Sequence, residues 1–352
     1  MLNFISKILS TILSITDFLQ KSEYIPVIDV RSPAEFEAGH IEGAINLPIF
    51  SNDERAKVGT LYKQKGKNEA VILGLELVGV KLANFSLTAL SLAKEKQLLV
   101  YCWRGGMRSA SMAWLFETVG IETFILSGGY KTFRNQVIET FDKIEKLVVL
   151  GGYTGSGKTE ILAQIRQEGE QVLDLEKIAH HKGSTFGALG ETENQPTSEH
   201  FANLLFHKLQ KFDFQKPIWV EDESKRIGTI HLPDNFFEKL RTSFLVKLNL
   251  SLNYRIERLI IDYGHFEKEL LVSAIHRISK RLGDKDSNLA IAAINSDNLP
   301  EAVAISLNYY DKTYDFGLEK REKELVKEIN LISDKKENFA KQIIEFYKKV
   351  SI

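Results

Sequence analysis

Leu147-Val-Val-Leu150, running into Gly151-Gly-Tyr-Thr-Gly-Ser-Gly-Lys-Thr159, decides the fold class. Four apolar, β-prone residues give way to a glycine-rich loop, and a helical pattern then continues through Arg166. Residues 152–159 satisfy G-x-x-x-x-G-K-[ST], and the strand before and helix after make that pattern specific. Gly152, Gly155 and Gly157 let backbone N–H groups wrap phosphate oxygens at a helix N-terminus. Lys158 is placed to meet a terminal phosphate, and the Thr159 hydroxyl to ligate Mg2+. The loop alone leaves open whether that phosphate belongs to a nucleotide or to another diphosphate.

A second junction of the same form precedes it. Leu98-Leu-Val-Tyr101 leads into Cys102-Trp-Arg-Gly-Gly-Met-Arg-Ser109 and a helical pattern through Phe116. Further short apolar runs (Val27 to Val30, Thr123 to Leu126, Gln171 to Leu173, Ile218 to Val220, Phe244 to Leu248) alternate with helix-length segments. The alternation predicts α/β architecture with a mostly parallel sheet in each half. From about Leu252 the pattern is helical to the end, and the charges of 319–328 and 335–349 read as solvated helix surface. The expected organisation is one domain over 1–143, with an N-terminal helix and an insertion at about 51–96. A phosphate-loop domain follows over 144–250, then a helical region over 251–352 packed on it. Residues 191–198 (ETENQPTS) read as a mobile loop.

Composition narrows the function classes. The 352 residues suit about two domains, and 43% hydrophobic with 26% charged residues argues against wholesale disorder. A single cysteine excludes an internal disulfide and a multi-cysteine metal site, and fits a reducing, cytoplasmic setting. With 46 basic and 47 acidic side chains, a polyanion must be held by local patches rather than net charge. The first 15 residues are apolar but reach Asp17 without a small-residue cleavage site, so they read as an amphipathic helix. No run approaches the ~20 apolar residues of a membrane span.

Cys102 falls where ligands sit in parallel α/β sheets, beyond a strand's carboxyl end. Gly105 and Gly106 permit a tight loop whose N–H groups converge on an anion, and Arg104 and Arg108 add charge. A thiol in such a nest is a nucleophile rather than core filler. Ser109 closes the loop, and Trp103 either stacks a base or packs beneath the cysteine. In the second half Asp174, Asp222 and Glu223 end strands near the phosphate loop as candidate metal organisers, with Glu176 beside them. His180, His181 and Lys182 lack the ligand spacing of a zinc site and read as contacts to substrate or RNA. Arg277, Lys280 and Arg281, in a window of local charge +3, join Arg226, Arg255, Lys225 and Arg258 as candidate RNA contacts.

Ile28-Asp-Val-Arg-Ser-Pro-Ala-Glu-Phe36, Gly39-His-Ile-Glu-Gly-Ala-Ile-Asn-Leu-Pro48, the Cys102 loop and Leu126-Ser-Gly-Gly-Tyr130 resemble a rhodanese domain over about 15–140. That resemblance implies a cysteine carrying sulfane sulfur or selenium. Asp29 and Arg31 either structure the loop or serve the architecture. The spacing Cys102 to Arg108 is Cys-x5-Arg, one residue longer than in ordinary sulfurtransferases and shared with dual-specificity phosphatases.

Ser51-Asn-Asp-Glu-Arg-Ala-Lys-Val-Gly-Thr-Leu-Tyr-Lys-Gln64, the cysteine loop and Trp219-Val-Glu-Asp-Glu-Ser224, together with the phosphate loop, resemble the tRNA 2-selenouridine synthase family over about 15–285. The resemblance implies a wobble 2-thiouridine in tRNA that is first S-geranylated from geranyl diphosphate. Selenium from selenophosphate then replaces the S-geranyl group. It further implies tRNAs reading Lys, Glu and Gln codons and, as a partner, an enzyme that makes selenophosphate. Two alternatives are a Cys-x5-Arg phosphatase fused to a nucleotide-dependent kinase domain, and a nucleotide-regulated RNA-binding module.

Overall fold

The computed structural model describes residues 10–184, 186–331 and 339–350. The chain divides into two compact units, 1–139 and 140–352.

The first unit runs β1 (Thr11–Leu13), α1 (Ile15–Lys21), β2 (Val27–Asp29), α2 (Pro33–Ala38), β3 (Ile45–Asn46), α3 (Asn52–Lys65), α4 (Lys67–Gly79), α5 (Leu82–Leu92), β4 (Gln97–Tyr101), α6 (Met107–Thr118), β5 (Glu122–Leu126) and α7 (Gly129–Asp142). Its five parallel strands lie in the order β1-β5-β4-β2-β3. β4 is central and its last four residues are buried, as a continuous apolar run in a two-faced parallel sheet must be. Leu98, Val100 and Cys102 join Met112 and Phe116 of α6 in one apolar cluster. The insertion is three helices, α3 to α5. α3 opens with a capping box in which Ser51 and Glu54 satisfy each other's backbone N–H groups, which is the physical content of Ser51-Asn-Asp-Glu54.

The N-terminus departs from expectation. The predicted helix falls largely on residues 1–9, outside the described residues. Thr11–Leu13 is instead an edge strand, paired in register with Phe124–Leu126.

The second unit runs β6 (Leu147–Gly152), α8 (Lys158–Gln167), β7 (Gln171–Leu173), α9 (Leu175–Ala179), α10 (Ser198–Leu209), β8 (Ile218–Glu221), β9 (Arg226–Ile227), β10 (Ile230–His231), α11 (Asp234–Thr242), β11 (Phe244–Asn249), α12 (Leu252–Tyr263), α13 (Lys268–Leu282), α14 (Asp284–Asn295), α15 (Leu299–Leu318), β12 (Val326–Asn330) and α16 (Phe339–Val350). Its parallel sheet has the order β12-β11-β6-β8-β7, again with the loop-bearing strand in the middle. β9 and β10 form a small antiparallel hairpin.

β12 corrects the reading of an all-helical C-terminal region. Val326-Lys-Glu-Ile-Asn330 pairs with β11, and Lys247 meets Glu328 directly across the strands at 2.9 Å. An edge strand keeps charges on its exposed side, so its sequence looks like a solvated helix. α16 then returns Phe339, Ile343 and Ile344 to the core around Trp219, against α8. Among the described residues no single helix is long and apolar enough to cross a membrane.

Candidate functional sites: a cysteine loop and a phosphate loop

Cys102 is buried at the end of β4, ahead of α6. Its Sγ lies 3.2 Å from the Ser109 hydroxyl, which also reaches the Gly106 carbonyl at 3.0 Å. The loop is tied to the start of α7: Tyr130 N–H donates to the Cys102 carbonyl at 2.8 Å, and Lys131 N–H to that of Trp103 at 3.0 Å. Gly129 explains the Ser-Gly-Gly-Tyr motif. At its φ of +63°, a Cβ would stand 2.3 Å from the Cys102 carbonyl oxygen and 2.4 Å from the Gly105 nitrogen, so only glycine lets α7 close on the loop.

Asp29 and Arg31 form a fully buried pair beside this loop. Arg31 Nη2 donates to Asp29 Oδ2 at 2.6 Å and to the Gly39 carbonyl at 2.6 Å. The guanidinium lies 3.7 Å from the Tyr130 ring centroid and 6.0 Å from that of Trp103. Burial opposes its charge, but the Asp29 carboxylate overcomes that and holds the Arg31 pKa above its ordinary value. Arg31 thus braces the aromatic floor under the loop, and half-buried Trp103 tilts against Tyr130 at 5.7 Å.

The other arginines differ. Arg104 is exposed, whereas Arg108 is committed to Glu35 of α2 at 2.9 Å. Burial would raise the Glu35 carboxyl, but Arg108 and the Ser32 N–H hold it below its usual range. Gly105 is half-buried, and Gly106 is exposed as the N-cap of α6.

In the second unit the phosphate loop joins β6 to α8. Lys158 Nζ donates to the Gly152 carbonyl at 3.0 Å, and the Thr159 hydroxyl to Glu176 Oε2 at 2.9 Å. α15 clamps the loop from behind: Tyr314 accepts from the Gly152 N–H at 2.9 Å, and Tyr153 donates to Asp315 at 2.7 Å.

Three glutamates crowd this loop. Glu221 Oε1 accepts from the Glu176 N–H at 2.8 Å while its Oε2 is buried with no partner. Burial, then the charges of Asp174, Glu176 and Glu223, pushes the Glu221 carboxyl well up. Burial and the neighbouring Glu176 push Glu223 to about 8. Glu176 is raised too, mainly by burial.

Asp174 and Asp222 have other partners. Asp174 caps α9 by accepting from Lys177 N–H at 2.9 Å, and Asp222 pairs with Arg321 at 2.6 Å and Arg241 at 3.4 Å. β8 ends at Glu221, and beyond it Asp222 is drawn to Arg321 and Arg241 while Glu223 stays beside Glu176.

A cavity of about 560 Å3 opens over the loop, with Lys158, Thr159, Glu176, Lys182, Glu223 and Arg258 around its polar end. An alcohol oxygen and two carboxylates beside a phosphate cradle fit a hard cation such as Mg2+. Among the described residues no three His, Cys, Asp or Glu side chains form a metal site by themselves, so phosphate oxygens would have to complete the coordination.

The candidate RNA contacts separate. Arg277, Lys280 and Arg281 are exposed along α13, opposite its buried Ala274, Ile275 and Ile278. Arg226 is exposed on the β9–β10 hairpin, its Nε on the Gly228 carbonyl. Arg255 corrects its expectation: it is buried, bidentate to Asp311 at 2.8 Å for both bonds, and reaches the Thr154 carbonyl at 3.3 Å. It supports the phosphate loop and presents nothing to a polyanion.

His181 is likewise buried, with Nδ1 unpartnered and burial holding its pKa down, so it too offers no surface to RNA. His180 caps α9 in the left-handed region and reaches Asn194 and Glu193 at 3.0 and 3.2 Å. Residues 191–198 are pinned, since Gln195 donates to the Ala179 and Ile227 carbonyls at 3.1 Å each. Lys182, expected to meet RNA, lines the cavity instead, and Arg258 packs 3.1 Å from the Cβ position of Gly157.

A rhodanese-like parallel-sheet unit followed by a P-loop α/β unit defines the class of this chain. A model of the rhodanese-like domain matches residues 14–136, and one described as the tRNA 2-selenouridine synthase AAA domain matches 145–342. The tRNA 2-selenouridine synthase of Nitrosomonas europaea is 40% identical over 247 residues, 68% of this chain and 63% of that protein. Those of Shewanella pealeana and Shewanella frigidimarina are 34% and 35% identical, over 84% and 86% of this chain and 89% and 90% of theirs. The chain thus spans less than two thirds of the Nitrosomonas relative and about nine-tenths of the Shewanella ones. It belongs to the tRNA 2-selenouridine synthase family.

Proposed function

We propose that this chain is a cytoplasmic enzyme converting wobble 2-thiouridine of tRNA into 2-selenouridine through an S-geranyl intermediate, with tRNAs for Lys, Glu and Gln codons as substrates. The observation that carries this reading is the pairing, on one chain, of the Cys102 loop with a P-loop that fronts an amphipathic cavity.

The chemistry needs both. A thiocarbonyl sulfur leaves C2 poorly. Its attack on the first carbon of geranyl diphosphate forms the C–S bond, breaks the C–O bond and releases pyrophosphate. Lys158, Arg258 and the loop amides stabilise that departing anion. Mg2+, held by Thr159 with Glu176 and Glu223 behind it, would supply further charge neutralisation.

The alkylated sulfur can then leave as geranyl thiol. Selenophosphate, bound as an anion in the Cys102 loop with exposed Arg104 beside it, adds its selenium to C2. Departure of geranyl thiol and hydrolysis of the Se–P bond give 2-selenouridine and phosphate. Cys102, the chain's only cysteine, lies at the selenium in this scheme, and no second thiol on the chain can form a disulfide with it. A selenophosphate-producing enzyme supplies the donor.

The test is mass analysis of nucleosides from 2-thiouridine tRNA incubated with the protein, geranyl diphosphate and selenophosphate. S-geranyl-2-thiouridine should form with the first reagent alone and 2-selenouridine with both. Phosphate-ester hydrolysis abolished by Cys102→Ser, with no modified nucleoside, would favour the phosphatase reading. The Arg108–Glu35 ion pair weighs against that reading, because it occupies the arginine a phosphate would need.

A further inference from the structure

The cavity over the P-loop changes character along its length. Lys158, Lys182 and Arg258 stand at the phosphate cradle; Leu271, Ile275, Ile294, Leu299 and Ala302 of α13 to α15 give the cavity an aliphatic wall. Leu271, Ile275, Ile294 and Ala302 also belong to the apolar cluster shared by α13, α14 and α15, and all four are buried. Leu259 of α12 stands 3.1 Å from the position a Cβ on Gly155 would take, so aliphatic surface begins at the loop itself.

Two of the four hydroxyls that α15 puts on the cavity wall already spend their protons within the helix. Ser306 donates to the Ala302 carbonyl at 2.9 Å and Thr313 to the Tyr309 carbonyl at 3.0 Å, each within its own helix. A nucleobase buried among Leu271, Ile275, Ile294 and Ala302 would leave its edge donors and acceptors short of partners, at a cost. An alkyl chain needs none.

We infer that α12 to α15 form the alkyl-chain site of a prenyl diphosphate, with the diphosphate at the P-loop and the chain running past Leu259 toward Leu271, Ile275, Ile294 and Ala302, where the helices set the accepted chain length. This rests on reading the P-loop as a diphosphate site. It adds where the chain lies and which residues measure it.

Isothermal titration of the full chain with inorganic pyrophosphate, dimethylallyl, geranyl and farnesyl diphosphates and ATP tests it. Each methylene buried is worth roughly fourfold in Kd, so geranyl diphosphate should bind at least about 100-fold more tightly than pyrophosphate. Ala302→Leu, which fills the apolar end, should weaken geranyl diphosphate roughly tenfold or more and leave pyrophosphate within about twofold. Leu299→Ala, at a half-buried position that folds more tolerantly, should shift preference toward farnesyl diphosphate several-fold over geranyl. Equal affinity for pyrophosphate and geranyl diphosphate in the unaltered chain overturns the inference while leaving the diphosphate reading intact. So does an unchanged chain-length preference in both variants. ATP binding with no affinity for any diphosphate overturns the reading beneath it as well.

Discussion

The two glycine loops stand at the same topological position, beyond the end of a central buried parallel strand, and they are finished differently. The Cys102 loop is sealed by α7, braced by a buried Arg31–Asp29 pair, and keeps its sulfur covered. The P-loop fronts a large cavity and is ringed by carboxyls that burial has pushed toward neutrality. The difference teaches that a strand-end loop specifies only a place for an anion. What surrounds the loop is what separates the two under the proposed function: a closed nest suited to a small chalcogen donor, and an open, two-natured cavity suited to a charged head with an apolar tail.

Substitutions should separate the two loops, beginning with the strongest. Cys102→Ser is expected to cut selenium incorporation by at least about 1,000-fold while S-geranylation continues, read by nucleoside mass analysis. Asp29→Ala strands a buried guanidinium and should destabilise the first unit by about 3–5 kcal/mol, measured by denaturant unfolding. A loss near zero would mean that Arg31 finds another counter-charge. Lys158→Ala should lower geranyl diphosphate affinity about 100-fold and leave selenation of pre-geranylated tRNA intact.

The acid cluster predicts a pH dependence confined to the second unit. Glu223 titrates at about 8 when folded, against roughly 4.3 unfolded. Stability from its neutral form is complete below about pH 4 and disappears as the pH rises through about 8. The thermal midpoint of the second unit should therefore fall between about pH 5 and 8. Glu223→Gln should flatten the fall without abolishing it, because Glu221 and Glu176 are raised as well. An unchanged slope in calorimetry would locate the titration elsewhere. The smallest effect belongs to the exposed α13 cations. Lys280→Ala and Arg281→Ala should each weaken tRNA binding a few-fold, with the salt-dependence slope shallower by roughly one.

Much of this architecture is legible in the sequence, for a physical reason. β4 and β6 are buried on both faces, so they read as unbroken apolar runs, and each passes its chain to a glycine loop with a helix behind it. β12 escapes because an edge strand may carry Lys327 and Glu328 in the open, where pattern cannot tell it from a solvated helix. The site residues divide by range. Lys158 and Thr159 are fixed by local loop geometry. Arg255 and Lys280 look alike in sequence, yet Asp311 lies 56 residues away and draws Arg255 into a buried pair. Glu176 and Glu221 matter because the first turn of α9 and the end of β8 meet, with Glu176 bonded to Thr159 and Glu221 to the Glu176 N–H, a juxtaposition no local spacing encodes.

The central claim, one chain with two chemically distinct loops acting in sequence, is tested most directly by a crossover. Cys102→Ser and Lys158→Ala proteins are each given 2-thiouridine tRNA and pre-geranylated tRNA, with both donors present, and the nucleosides are weighed. Cys102→Ser should accumulate S-geranyl-2-thiouridine and stop. Lys158→Ala should leave 2-thiouridine untouched yet convert the pre-geranylated tRNA to 2-selenouridine. If both variants give the same products from both tRNAs, the division of labour between the loops is contradicted.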